Sequence, residues 1–198
     1  MDNLTTPQNE PFDYRGVNHV ALVCKDMAQT VDFYTRVLEM KLVKTIDLPN
    51  GRGQHFFFDC GNGDCVAFFW FPNAPKTAPG IASMHPDYKT HGSQTAHGSM
   101  NHLAFNIPLE QVDAYADRLK RKGVEVRVLN HEDTDLHATA TVNEKTWIRS
   151  IYFEDPNGIH LEFAALTRPY TALDVRHDPV DEAGSRVPLA SRVDAYTD

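Results

Sequence analysis

Two short stretches of the sequence each place a histidine inside an apolar run. Residues 16–23 read GVNHVALV and residues 100–107 read MNHLAFNI, so His19 and His102 both follow an asparagine and precede an apolar residue and an alanine. An imidazole in a buried strand is either a hydrogen-bonded core residue or a metal ligand, since neutral imidazole is a common metal ligand. A single strand histidine would favour the first reading, whereas the repeated pattern favours a metal.

The elements that would position these histidines are repeated as well. Residues 31–34 (VDFY) correspond to residues 112–115 (VDAY), and both lie in segments with apolar residues three and four positions apart, which predicts helices. The first helix is predicted to begin after Asp26 as its N-cap. The second is predicted to begin at Pro108 and to end near Gly123.

Three strand-like runs separated by turn signals follow each helix. They are Lys41–Asp47, Gln54–Asp59 and Cys65–Phe71 in the first unit, and Val124–Leu129, Trp147–Phe153 and Ile159–Ala165 in the second. Each unit therefore reads βαβββ. The prediction is an α+β fold in which two tandem βαβββ modules form a cupped, eight-stranded mixed sheet around a metal site.

The boundaries of these units divide the chain into five segments, of which the two modules form one domain. They are an N-terminal extension (1–14), module 1 (15–71), a connecting loop or lid (72–99), module 2 (100–166) and a C-terminal tail (167–198). The long loop is rich in Pro, Gly and His, a composition typical of functional or disordered connections.

Composition excludes several classes of partner. The formal net charge of −8 argues against binding nucleic acid or an anionic membrane surface, because both attract clustered Lys and Arg. No apolar run approaches the roughly 20 residues of a membrane helix, and the first 15 residues lack the apolar core of a signal peptide. Three cysteines predict reduced thiols in the cytoplasm. A homodimer is the default expectation for a soluble oligomer.

The paired βαβββ units, with a histidine in the first strand of each, resemble the vicinal oxygen chelate superfamily over about residues 15–166. That superfamily includes glyoxalase I, extradiol dioxygenases, epimerases and bleomycin-resistance proteins. The resemblance implies His19, His102 and Glu162 as metal ligands. Strand alternation agrees, because Glu162 shares a face with His160 and Ala164, and a buried carboxylate is costly without a cation. The alternative is two hydrogen-bonded core histidines and a solvated glutamate.

The number of ligands bears on the reaction. Glyoxalases and epimerases of this superfamily use a fourth protein ligand from the last strand of the first module, where this chain has Ala67 or a close neighbour, and residues 67–71 (AFFWF) cannot bind a metal. Two histidines and one carboxylate leave open positions for substrate and O2 on non-haem Fe(II). Fe(II) is therefore the expected cofactor, although Mn(II), Zn(II) and Ni(II) suit the same ligands.

The C-terminal strands match the extradiol dioxygenase signature in part. Residues 151–158 (IYFEDPNG) and Glu162 fit, whereas the signature histidine, expected at 143–145, is absent. Another group would have to perform its acid–base work. The candidates are His91, His97, His137, Tyr152 and, by the shorter signature gap, Lys145.

The leading hypothesis is an extradiol-type dioxygenase that cleaves a small catecholic substrate with O2. One alternative is a glyoxalase- or epimerase-like lyase or isomerase acting on a substrate with vicinal oxygens. The other is a binding protein of the bleomycin-resistance kind, without turnover. The aromatic residues Phe57 and 68–71 could line an aryl pocket or belong to the core, and His55 could point into the cup beside the metal or toward solvent at a sheet edge.

Overall fold

The computed structural model describes residues 13–133 and 138–188 as nine strands and three α-helices. The strands are β1 (His19–Cys24), β2 (Lys41–Leu48), β3 (Gly53–Gly61), β4 (Asp64–Trp70), β5 (Leu103–Asn106), β6 (Arg127–Glu132), β7 (Ala138–Thr139), β8 (Thr146–Glu154) and β9 (His160–Leu166). The helices are α1 (Met27–Asp32), α2 (Tyr88–His91) and α3 (Val112–Arg121).

The strands form two mixed sheets, one in each module. Module 1 has the order β1-β4-β3-β2 and module 2 the order β5-β9-β8-β6-β7, with the first strand of each module parallel to its neighbour. The α+β fold with two βαβββ repeats is thus confirmed. The eight expected strands are divided between two sheets because each module pairs its first strand with its own last long strand. The two-residue β7 is a ninth strand, paired with β6 at Asn130 and His131.

The helix boundaries follow the signals in the sequence. Asp26 is the N-cap of α1, and its carboxylate accepts a hydrogen bond of 2.9 Å from the backbone N–H of Gln29. A π-helical turn, Phe33–Val37, continues α1. A 3-10 turn after Pro108 leads into α3, and Gly123, at φ +82°, follows its end. In the part of the chain that the structure describes, no helix is both long enough and apolar enough to span a membrane.

Both modules contribute to a single hydrophobic core. Tyr34, Phe58 and Phe68 of module 1 lie in one cluster with Ile151 and Leu161 of module 2, and all five are fully buried. Because side chains alternate along a strand, the other face of each sheet points away from this core. The sheet faces that carry His19 and Glu162 are therefore both outer faces.

The turn between β8 and β9 joins the two modules. The side chain of Asn157 accepts a 2.9 Å hydrogen bond from the backbone N–H of Lys25 and donates one of 3.3 Å to the hydroxyl of Thr30. The Asp155 carboxylate closes the turn by accepting from the backbone N–H groups of Asn157 and Ile159, at 2.8 and 2.9 Å. The Asp-Pro-Asn-Gly sequence thus has a structural role in fixing one module against the other.

Candidate metal centre

A histidine and a glutamate meet at the outer face of module 2. His102 lies just before β5, Glu162 lies on β9, and the Nε2 and Oε2 atoms are 2.9 Å apart. The Asn101 side-chain oxygen is 2.8 Å from His102 Nδ1, the distance expected if it accepts the Nδ1–H. That hydrogen bond directs Nε2 toward Glu162, so a metal bound between the two side chains would take the place of the Nε2–H that donates to the carboxylate.

The preceding asparagine has the same role in both repeats. Asn18 Oδ1 lies 2.7 Å from His19 Nδ1, which matches the contact between Asn101 and His102. A side chain that holds one ring nitrogen orients the ring and fixes which nitrogen can act as a ligand. This contact gives the repeated Asn-His pair a physical reason.

The Glu162 carboxylate is held ionised in a buried position. Its side chain is only 6% exposed, and the Ser150 hydroxyl donates a 2.5 Å hydrogen bond to its second oxygen. Burial by itself would raise the pKa of Glu162, but hydrogen bonds from His102 and Ser150 outweigh that effect and the pKa is lowered. An ionised carboxylate with an adjacent imidazole is a suitable pair of donors for a divalent cation.

Tyr152 lies at the centre of the same face. It pairs across the strands with Glu162, and its hydroxyl is 3.0 Å from His131 Nε2. Its ring stacks on His160 at 5.4 Å and meets the ring of His102 edge-on at 5.9 Å. Burial, with the charge of Glu162, raises the pKa of Tyr152 to about 12, so the phenol is protonated at neutral pH.

Several side chains of this face were not proposed from the sequence. His160 is buried, and within the described residues neither of its ring nitrogens has a hydrogen-bond partner, although Nδ1 lies 3.6 Å from a Glu154 oxygen. The other side chains of this face are Arg127 and His131 on β6 and Ser150 on β8. The alternation of side chains along the strands, counted from Glu162 and Tyr152, is the signal in the sequence that could have identified them.

The structure places His19 away from this pair. Its side chain is exposed on the outer face of module 1, with its ring 5.5 Å from that of Phe57. Over residues 13–133 and 138–188, no three His, Cys, Asp or Glu side chains are grouped so that they could hold a metal ion. One chain therefore brings together two of the three expected ligands. The role of all three as ligands stays a prediction.

Several aromatic side chains share the outer face of module 1 with His19. His55 stacks on Phe69 at 3.6 Å, and Phe69 stacks on Phe71 at 5.3 Å. Phe68 points to the opposite side and belongs to the core. Ala67, at the position of the expected fourth ligand, is fully buried and has no donor atom. The aromatic cluster of the sequence is thus divided between the core and an open face.

The candidate acid–base residues are spread over the molecule. His91 lies exposed on α2 with its ring 3.9 Å from that of His85, and His97 is exposed in a turn. Lys145 is exposed before β8, seven residues and therefore about 24 Å along the strand direction from Tyr152. His137 lies outside the described residues. The structure brings Tyr152 to His102 and Glu162, whereas it does not place His91, His97 or Lys145 in contact with that pair.

A cavity of about 820 Å³ lies beside Tyr152 and His160. The connecting loop borders it, since Pro86, Asp87, Tyr88 and Lys89 are among the lining residues. The Ser83 hydroxyl of the same loop accepts a 2.9 Å hydrogen bond from the backbone N–H of His160. The volume lies in the range of small-molecule sites. His102 and Glu162 are not among the lining residues, and Tyr152 is the side chain shared by the cavity and the candidate centre.

Comparisons with known proteins agree with this architecture. The model of the Glyoxalase/Bleomycin resistance protein/Dioxygenase superfamily matches residues 16–163. MhqE of Bacillus subtilis (strain 168), which bears the name of a ring-cleaving dioxygenase, is 26% identical over 110 residues, or 55% of this chain and 32% of MhqE. This chain thus aligns with about a third of that relative's length.

Two further comparisons cover most of the length of the other protein. Lactoylglutathione lyase of Neisseria meningitidis serogroup B is 27% identical over 147 residues, or 73% of this chain and 86% of the lyase. The solved structure of a glyoxalase family protein from Enterococcus faecalis superimposes with a TM-score of 0.53 at 20% identity, covering 76% of this chain and 98% of that one. The structural match shows the shared fold.

Proposed function

The chain belongs to the Glyoxalase/Bleomycin resistance protein/Dioxygenase superfamily, and we propose that it is a metal-dependent dioxygenase that cleaves a catecholic ring with O2. The observation that carries the proposal is the pair of His102 and Glu162, 2.9 Å apart, with alanine at the fourth-ligand position. Two histidines and one carboxylate leave open positions on the metal, and Fe(II) is the metal that uses them for oxygen chemistry.

The third ligand comes from a second copy of the chain in this proposal. His19 has its Nδ1 against Asn18, as His102 has against Asn101, yet it sits on a separate outer face. The apolar rings of Phe57, Phe69 and Phe71 beside it form a surface that a partner would cover. In such a dimer the His19 face of each copy packs on the module 2 face of the other. Each copy then supplies His19 to the His102 and Glu162 of its partner, and the symmetry gives two complete sites.

The bound metal would supply Lewis acidity and hold the catechol and O2 in one coordination sphere. Tyr152, protonated at neutral pH, donates a hydrogen bond to a substrate oxygen at this site. His131, whose Nε2 is 3.0 Å from the Tyr152 hydroxyl, orients that phenol through a hydrogen bond. Ser150 and Asn101 keep the donor atoms of Glu162 and His102 in place.

Oxygen consumption tests the proposed reaction. Protein reconstituted anaerobically with Fe(II) should take up O2 when mixed with substituted catechols in air and should form a yellow ring-opened product. Glu162→Gln is the matched variant that removes the charge and keeps the side-chain shape. Bound iron and bound catechol without oxygen uptake in the wild type would contradict the proposal.

A lyase or isomerase is the second candidate, because relatives of this chain include proteins named lactoylglutathione lyase. Such an enzyme would stabilise an enediolate instead of activating O2. Turnover of the hemithioacetal of methylglyoxal and glutathione in the absence of O2 would support this candidate over ring cleavage.

A further inference from the structure

Arg127 is a cation of the module 2 face without a carboxylate partner in the described part of the chain. Its guanidinium carbon lies 3.7 Å from the centre of the Tyr88 ring and 5.2 Å from that of Tyr152. Its Nε is buried and has no hydrogen-bond partner among the described residues. By contrast Arg149, on the opposite face of the same sheet, donates two hydrogen bonds to Asp113.

The surroundings of Arg127 are those of a ligand subsite. Tyr88 and Tyr152 face the guanidinium with their rings, and within residues 13–133 and 138–188 its buried Nε–H has no acceptor. Burying such a donor unpaired costs free energy, so an acceptor from a ligand would stabilise it. Arg127 lines the cavity of about 820 Å³ with two other cations, Lys89 and Lys122, and with four carboxylates, Asp87, Glu125, Glu154 and Asp155. The unpaired guanidinium, and not the net charge of the lining, is therefore what would select an anion.

The subsite lies within reach of the candidate metal centre. Arg127 pairs with Tyr152 across β6 and β8, and Tyr152 pairs with Glu162 across β8 and β9. Adjacent strands are about 4.8 Å apart, so the backbones of Arg127 and Glu162 are separated by about 10 Å. This separation suits a ligand with a single aromatic ring that carries two oxygens at one end and an anionic group at the other.

We propose that Arg127 is an anion subsite that selects substrates with a carboxylate or another oxyanion opposite their chelating end. Guanidinium binds such groups with two parallel hydrogen bonds, and a neutral catechol would leave it unpaired. The orientation of the substrate rests on the proposed metal-dependent function. The anion subsite itself does not, because it can be occupied without turnover.

Direct binding measurements test the subsite. Calorimetric titration of the Zn(II)-loaded protein with 3,4-dihydroxybenzoate and with catechol should give tighter binding of the carboxylated compound. Arg127→Met should weaken 3,4-dihydroxybenzoate by about 10- to 100-fold, the effect of a charge-assisted hydrogen bond, and change catechol less than about twofold. Arg127→Lys should recover part of the discrimination, since it keeps the charge without the two-pronged geometry.

Arg52→Met is the matched control, because Arg52 is exposed and donates a hydrogen bond to the backbone carbonyl of Pro49. Separate titrations with benzoate and with phenylphosphonate show whether the subsite binds a planar or a tetrahedral anion more tightly. Equal weakening of catechol and 3,4-dihydroxybenzoate in Arg127→Met, or no weakening of either, would overturn the subsite. Discrimination that depends on Arg127 supports it even if no catechol consumes O2, an outcome that would contradict only the proposed reaction.

Discussion

Replacing Ser150 with alanine tests whether the hydrogen bond to Glu162 supports metal binding. Ser150 is fully buried, and its hydroxyl lies 2.5 Å from Glu162 Oε1. A hydrogen bond to a charged group contributes about 1.5–3 kcal/mol. Without it the carboxylate is less well oriented and its pKa rises, because burial is then opposed only by the remaining partners. The expected result is a metal affinity about 10- to 100-fold weaker than that of the wild type.

Competition with a chromophoric chelator for Zn(II) or Mn(II) measures this change. Circular dichroism and the unfolding midpoint should show that the Ser150→Ala protein is folded. Ser99→Ala is the control, since the Ser99 hydroxyl donates to a backbone carbonyl in an exposed turn. Wild-type metal affinity in a folded Ser150→Ala protein would refute the assignment of Glu162 as a ligand held by Ser150.

Two further changes follow from the same geometry. Tyr152→Phe should lower the rate of ring cleavage by about 100-fold. The shape of the pH–rate profile between about pH 6 and 9 should stay the same, because a pKa of about 12 keeps the phenol of the wild type protonated throughout. The loss of an inflection together with the hydroxyl would contradict this. Phe58→Ala should lower the free energy of unfolding in urea by about 3–5 kcal/mol, since Phe58 is fully buried, whereas Phe71→Ala, 37% exposed, should cost less than about 1 kcal/mol. Equal losses would contradict that assignment of faces.

Local periodicity accounts for what could be predicted from the sequence. Alternation along β9 separates Glu162 from the core residue Leu161, and the two Asn-His pairs identify the first strand of each module. The N-cap at Asp26 and the helix end near Gly123 follow from side-chain and backbone preferences that act over a few residues. Such short-range signals suffice for the order of elements and for the face of each candidate ligand.

Contacts between distant residues account for what could not be predicted. The Lys122 ammonium group donates hydrogen bonds to the backbone carbonyls of Arg36 and Val37, which holds the end of α3 against the π-helical turn that follows α1. The pairing of Tyr88 with Arg127 depends on the path of the connecting loop. No pattern of spacing records either contact, and the separation of His19 from Glu162 likewise became visible only in the structure.

Complementation between two damaged subunits tests the central claim, a metal centre shared by two copies. One tagged chain carries His19→Ala and a differently tagged chain carries Glu162→Gln, so neither homodimer has an intact ligand set. Dimers purified through both tags should bind about half the metal of the wild type, because one of the two symmetric sites is whole. The absence of bound metal in these mixed dimers, with stoichiometric metal in the wild type, would contradict a shared centre.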